Sequence, residues 1–287
     1  TISNNTTWDV GGSPYTITGN TVIMDGVTLT ISPGVTVLFS QDVYLRTLSG
    51  GTLIAQGTQS DSIYFSVTDI NTVTNTEGIK FDGGAVGSTV QDDTTYVSGS
   101  VFDYCVFKNF ISSGHGIIQT DVSLGIFNTK FVNNQSIDGG CINIVDKTGG
   151  FLYLNRIEAE NNTVVKNGGF LYYKSGTVII NNSQFKNNSA RSGGVIHAAH
   201  RDGTTKTLKI NSSIFINNSS EMGGVIYHYA KFNDKLIEIK DSKFLNNTAT
   251  SFAGVIFIRI SGGVGYFNAN LINNIFIRVF IIFSFND

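Results

Sequence analysis

Phe215-Ile-Asn-Asn218-Ser-Ser-Glu-Met-Gly223-Gly224-Val225-Ile226 is the clearest copy of a unit that recurs along the chain. Two signatures compose it. The first is Phe with Asn two residues on: Phe107/Asn109, Phe131/Asn133, Phe185/Asn187, Phe215/Asn217 and Phe244/Asn246, with Ala159/Asn161 as a variant. The second follows as a small pair and then two residues ending in an aliphatic. Its copies are Gly139-Gly140-Cys141-Ile142, Gly168-Gly169-Phe170-Leu171, Gly193-Gly194-Val195-Ile196, Gly223-Gly224-Val225-Ile226 and Ala253-Gly254-Val255-Ile256, with His115-Gly116-Ile117-Ile118 in the same slot. The Phe positions advance by 24, 28, 26, 30 and 29 residues. Repeats of roughly 20 to 50 residues are the mark of solenoids and arrays.

Each period reads as short alternating strands broken by polar corners, as in Thr207-Leu-Lys-Ile-Asn211, Ser213-Ile-Phe-Ile-Asn217 and Gly224-Val-Ile-Tyr227. No segment carries a helical stripe. Three strands per turn of about 25 residues is the arithmetic of an all-β, right-handed parallel β-helix with equivalent positions stacked ~4.8 Å apart. Residues 1–66, with Val27-Thr-Leu-Thr-Ile31, Val35-Thr-Val-Leu-Phe39 and Gly51-Thr-Leu-Ile-Ala55, form its opening coils. Residues 67–100 form a coil with a loop insertion, since 82–100 is rich in Gly, Ser, Thr and Asp. Residues 101–265 hold the repeats, and 266–287 a last coil with an aromatic tail. The whole chain, 1–287, is one domain of about eleven coils and roughly 50 Å.

Strand alternation sets the expected facing of each position. The Phe residues form an internal aromatic ladder. Asn two residues on shares their parity, so Asn161, Asn187, Asn217 and Asn246 are expected to point inward. Ile118, Ile142, Leu171, Ile196, Ile226 and Ile256 form a second inward ladder. Their neighbours Ile117, Cys141, Phe170, Val195, Val225 and Val255 then face outward, as do Gln119, Asn143, Tyr172, His197, Tyr227 and Phe257. An apolar outer face is either covered by a loop of the same chain or is a contact surface for another protomer or for sugar rings.

Only 14% of the 287 residues are charged, against roughly 25% in an average domain. The 19 basic and 21 acidic residues nearly cancel, which excludes nucleic-acid binding by phosphate neutralisation. Cys105 and Cys141 are too few for a disulfide framework or a zinc site. They read as buried free thiols, with one bridge as the alternative. The longest apolar run, Ile275 to Phe283, contains Arg278 and is far short of the roughly 20 residues of a transmembrane helix. The chain opens at Thr1 with no start Met, signal peptide or targeting run, which reads as a processed product.

The two signatures, in phase through six copies between residue 101 and about 260, resemble the repeats of the polymorphic outer-membrane protein family of surface-exposed β-helix adhesins. That family's third-position Asn is present in four of the five Phe copies, while Phe110 stands there in the first. No C-terminal stretch is long enough for the family's translocating barrel. The stretch from Trp8 through Pro14-Tyr15 to Gly26-Val-Thr-Leu-Thr-Ile-Ser-Pro-Gly34-Val is similar to the opening coils of secreted, pectate-lyase-like right-handed β-helices. The resemblance implies a fold and a surface setting.

Polysaccharide-cleaving enzymes share this fold, so the fold alone does not exclude catalysis. Asp92-Asp93 and Gly114-His115-Gly116 match two of the polygalacturonase motifs. The others fail: Asn71-Thr72-Val73 lacks its carboxylate, and Arg156-Ile157-Glu158 places an acid where a cation belongs. Glycoside hydrolysis needs two positioned carboxylates, and no Asp/Glu cluster suits the calcium of a lyase. His197, His200 and His228 recur with the coils without metal-spaced partners. No catalytic residue, metal or cofactor is expected.

Two further features remain. The tail Val279-Phe280-Ile-Ile282-Phe283-Ser-Phe285 is strongly β-forming at an end where solenoids need polar caps. It suits a folded-over plug or a strand donated to another subunit. Among the N-x-Ser/Thr sequons, Asn4, Asn5, Asn134, Asn181, Asn211 and Asn218 are the expected glycosylation acceptors. The expected role is an extracellular structural glycoprotein that self-assembles through Val279, Phe280, Ile282, Phe283, Phe285 and the face of Tyr172, His197, Tyr227 and Phe257. The alternative is a monomeric cell-surface adhesin or carbohydrate binder.

Overall fold

The computed structural model describes residues 1–144, 150–199, 206–230, 236–261, 269–277 and 281–286. The chain winds as a parallel β-helix with three ten-stranded sheets, and each turn contributes one short strand to each. The first sheet runs from Thr6–Trp8 to Ala269–Ile272, the second from Tyr15–Ile17 to Ile275–Ile277, and the third from Thr21–Ile23 to Ile281–Asn286. Successive strands pair parallel and in register: Phe107 on Phe65 and Phe131, Phe215 on Phe185 and Phe244. The insertion at 82–100 contains an antiparallel hairpin, Thr89–Gln91 with Thr95–Ser98. It lies against the first sheet, where Asn181 Nδ2 donates to the Asp93 carbonyl at 3.3 Å.

In-register stacking builds the core. Phe65, Phe107 and Phe131 stack with ring centroids 4.7 and 4.9 Å apart, and Phe185, Phe215, Phe244 and Phe276 continue at 4.9, 4.8 and 5.0 Å. Ala159 interrupts the ladder, and there Phe170 from the double-Gly corner fills the space. Its ring lies edge-on to Phe131 at 5.2 Å and to Phe185 at 5.1 Å.

Phe170 therefore points into the core, not outward as expected, and so do Ile117, Cys141, Val195, Val225 and Val255. The reason is a bulge repeated in five successive coils, from Ile117 to Val225. The amides of Val195 and Ile196 both donate to the Val225 carbonyl, at 3.0 and 2.9 Å, and those of Phe170 and Leu171 both donate to Val195. Two consecutive amides on one carbonyl break the alternation and turn both side chains to the same side. The glycines before the bulge are required by conformation and space. Gly193 and Gly223 have φ of +67° and +64°, and a Cβ on Gly194 would run into the Gly224 carbonyl.

The asparagine facing is likewise the reverse of expectation. Asn133, Asn161, Asn187, Asn217 and Asn246 are left-handed, with φ between 53° and 57°, and their side chains are exposed. A left-handed residue turns the chain through the corner, so the next residue faces inward. Asn134, Asn162, Asn188, Asn218 and Asn247 form a buried ladder there. In the first four rungs Nδ2 donates to the Oδ1 of the next coil, as Asn162 does to Asn188 at 2.9 Å, and in all five to a backbone carbonyl, for Asn162 that of Phe131 at 2.9 Å. Oδ1 accepts the previous coil's amide, as Asn188 does from Asn162 N at 3.1 Å. Every polar atom of the rung is used.

The other end of the Phe strand repeats this device. Tyr104, Asn128, Arg156, Asn182, Ser212, Asp241 and Asn273, each three residues before the Phe slot, are also left-handed. The next residues form a hydroxyl ladder, with Ile157 N donating to Ser183 Oγ, Ser183 N to Ser213 Oγ and Ser213 N to Ser242 Oγ at 3.0 to 3.1 Å.

Replacing Asn188 with Ala orphans several buried groups on neighbouring coils, at ~1–3 kcal/mol for each left unpaired. Urea unfolding should show Asn188→Ala destabilised by ~3 kcal/mol or more. Asn187→Gly, which keeps the left-handed corner, should cost under ~1 kcal/mol.

Candidate functional site

The outer face of the second sheet holds two surface depressions. One, of about 460 Å³, lies between the turn carrying Gln59 and Ser62 and the corner residues Tyr104, Asn128 and Arg156. Val106, Lys130 and Glu158 line it from the strands. The other, of about 570 Å³, is bounded by Thr68, Asp69 and Ile70, with Tyr64 and Lys108 on the strands. Val106 and Tyr64 are register partners, so one inter-strand step separates the two. Side by side they make a groove on the sheet's outer face, flanked by the turn carrying Gln59 and Ser62 and by the loop at 68–70, which precede and follow the strand Ile63–Val67.

Its chemistry is amphipathic. Tyr64 is 39% exposed, and Lys108 Nζ sits 5.3 Å from its ring centroid. Lys130 Nζ and Glu158 Oε2 pair at 2.8 Å across adjacent strands. At the wall, Asn128 Nδ2 donates to Asp103 Oδ1 at 2.8 Å. Burial raises the Asp103 carboxyl above its ordinary value, opposed by the Asn128 hydrogen bond and by the charge of Arg156.

Tyr104 and Arg156 mark the groove in another way. Their φ values of 47° and 57° place large side chains in the left-handed region, where a non-Gly residue costs ~1–2 kcal/mol. Elsewhere among the described residues that region holds Gly, Asn, Asp, Ser or Ala. The two bulky exceptions line the same cavity.

The expected interface face is closed. Tyr172, His197, Tyr227 and Phe257 stack along the third sheet, with His197 and Tyr227 centroids 4.6 Å apart. All four are at most 9% exposed. Met222 and Ala253 pack over Tyr227 and Phe257, and Phe252 stacks on Phe257 at 5.4 Å. The chain's own corner covers this face, so these four are not an open contact surface. Of the tail residues, Val279 and Phe280 lie outside the described residues. Ile282, Phe283 and Phe285 fall in the strand Ile281–Asn286, which pairs with Ile256–Ser261; their side chains lie outside the description.

The expected acceptors divide. Asn4 and Asn5 are exposed. Asn134 and Asn218, at 2% and 0% exposed, are rungs of the buried ladder, because the left-handed residue before each reverses the parity. Asn181 is buried beside the hairpin, and Asn211 is half-buried with its Nδ2 on Asn181 Oδ1 at 2.9 Å.

Cys105 and Cys141 are buried free thiols, and burial pushes both above the ordinary thiol value. Asp92 and Asp93 sit at the hairpin tip over the first sheet. His115 ends the strand Ile111–His115 on a separate corner strip, with its side chain outside the description. His200 also lies outside the described residues. Among the described residues no group of three His, Cys, Asp or Glu could hold a metal ion, and no helix is long and apolar enough to cross a membrane.

The groove was invisible to motif reading, because its residues come from different coils. Its one sequence signal is the slot three residues before Phe, where Tyr104 and Arg156 replace the usual small polar residue. The chain matches no family model, no curated protein and no solved structure.

His197 supplies a pH test of the closed face. Burial, opposed by a backbone hydrogen bond at Ser192 and aided by the charges of His228, Lys206 and Lys174, pushes its pKa down to about 3, against ~6.5 when unfolded. The unfolded chain thus takes up a proton that the folded one refuses. Stability present above pH ~6.5 falls as pH drops toward 3, by up to ~1.4 kcal/mol per pH unit. Unfolding midpoints at pH 7, 5 and 4 should diverge between the wild type and His197→Phe, the variant losing less on acidification. Parallel losses would mean that His197 is not buried neutral.

Proposed function

We propose that the chain is an extracellular, surface-displayed β-helix of the structural or adhesive kind that binds glycans along the second-sheet groove without cleaving them. The observation that carries this is the placing of strain. Tyr104 and Arg156 hold costly left-handed corners where they wall a cavity, and strained residues cluster at functional sites. The groove offers an aromatic ring edged by amides, hydroxyls and a guanidinium, the combination that stacks on and hydrogen-bonds a sugar. Its carboxylates speak against hydrolysis: Asp103 is tied to Asn128, Glu158 to Lys130 and Asp69 to the backbone and side-chain amides of Asn71, not offered as an acid–base pair.

A trade-off tests this reading. Arg156→Asn and Tyr104→Asn put a residue tolerant of the left-handed region into each corner, and should raise stability by ~0.5–1 kcal/mol. Titration calorimetry against a panel of neutral and acidic oligosaccharides should show the same variants, and Tyr64→Ala, binding about tenfold more weakly, equivalent to ~1.4 kcal/mol. No binding by the wild type, or undiminished binding by all three variants, would remove the groove from the function.

Self-association is a second reading, favoured by the last described rungs. Leu271, Ile272 and Ile275 are 38 to 48% exposed there, beside a half-buried Phe276 that continues the aromatic stack. Apolar side chains exposed together in this way mark contact surfaces. Filaments in electron micrographs that vanish with Ile275→Lys would place the interface at that end.

A further inference from the structure

Four sequons share one architecture: Asn161-Asn162-Thr163, Asn187-Asn188-Ser189, Asn217-Asn218-Ser219 and Asn246-Asn247-Thr248. In each, the first Asn is the left-handed corner residue, the second is a rung of the buried ladder, and the hydroxyl residue begins the next strip. We infer that Asn161, Asn187, Asn217 and Asn246 are N-glycan acceptors, forming a stripe on four successive coils along one corner of the solenoid.

The geometry separates these four from their neighbours. The backbone amides of Asn161, Asn187 and Asn217 are bonded between coils, to Lys186, Ile216 and Leu245 carbonyls at 3.0 to 3.1 Å. The fold therefore holds the corner through its main chain and leaves the carboxamide outside. All four side chains are exposed, and Asn187 Nδ2 donates to Asn161 Oδ1 at 3.2 Å. Replacing one Nδ2 hydrogen with a sugar leaves the other hydrogen and the whole core untouched. At Asn134 or Asn218 the same replacement removes a donor from a fully used rung. Asn218 Nδ2 serves both the Phe185 carbonyl and Asn247 Oδ1, at 3.0 and 2.9 Å, and has no space around it for a sugar.

The reaction is transfer from a glycosyl diphosphate donor. The carboxamide nitrogen bonds the anomeric carbon, the bond from that carbon to the diphosphate oxygen breaks, and the nitrogen's proton passes to a base. The inference shares with the proposed function only the surface setting, and needs nothing of the groove.

The full chain, secreted from a glycosylating eukaryotic host and purified as the folded fraction, is treated with a glycan-releasing amidase in heavy-oxygen water. Each occupied Asn becomes a mass-marked Asp, read by fragmentation of its peptide. The mark is expected on Asn161, Asn187, Asn217 and Asn246, and not on Asn134, Asn181 or Asn218. Each single Asn→Gly substitution in the stripe, which keeps the left-handed corner, should remove one glycan's mass with the unfolding midpoint nearly kept. Unmarked corners, or marks at Asn134 or Asn218 in folded protein, would overturn the inference. The exposed Asn4 and Asn5 report separately on encounter with the transferase. Marks there with bare corners would reject the stripe and leave the surface setting standing.

Discussion

The repeat coils from Tyr104 onward hang on a left-handed corner followed by a buried polar side chain that bonds neighbouring coils. A flat strand of three residues cannot close a turn by itself. The left-handed residue supplies the bend, and bending directs the next side chain into the core, where an unpaired amide or hydroxyl would be costly. Stacking in register removes that cost, because Asn134, Asn162, Asn188, Asn218 and Asn247 satisfy one another and the neighbouring carbonyls. The same bonds fix register, since a slip by one residue would orphan the whole ladder.

Inside those corners the core is a matter of volume. Phe at one slot goes with Ile, Cys or Val in the double-Gly slot, and where the first slot shrinks to Ala159 the second grows to Phe170. The packing is conserved as a sum across two sheets, while each coil is free in composition. The outer surface has no such constraint, and there the coils differ: paired charges on the second sheet, a roofed aromatic row on the third, a hairpin against the first.

The proposed function belongs to those departures. The groove lies where the turn at 57–62 and the loop after Val67 rise beside the second sheet and where two corners carry Tyr and Arg at a conformational cost. A repeat that keeps its inner positions uniform and lets its corner side chains vary can present a binding surface without touching what holds it together.

The coil period, the parallel sheets, the inward Phe ladder and the buried thiols were legible in the residues themselves, because spacing and periodicity are local properties of the chain. Facing beyond each corner was not. Alternation holds only along an unbroken strand, and one left-handed residue or one bulge resets it. Asn161 and Asn134 thus exchanged sides, Phe170 and Val195 turned inward, and Tyr172, His197, Tyr227 and Phe257 came to lie under their own chain. The groove was further out of reach. Gln59, Tyr64, Tyr104, Lys130 and Arg156 meet only because the coils stack ~4.8 Å apart, and that proximity is created by tertiary structure alone.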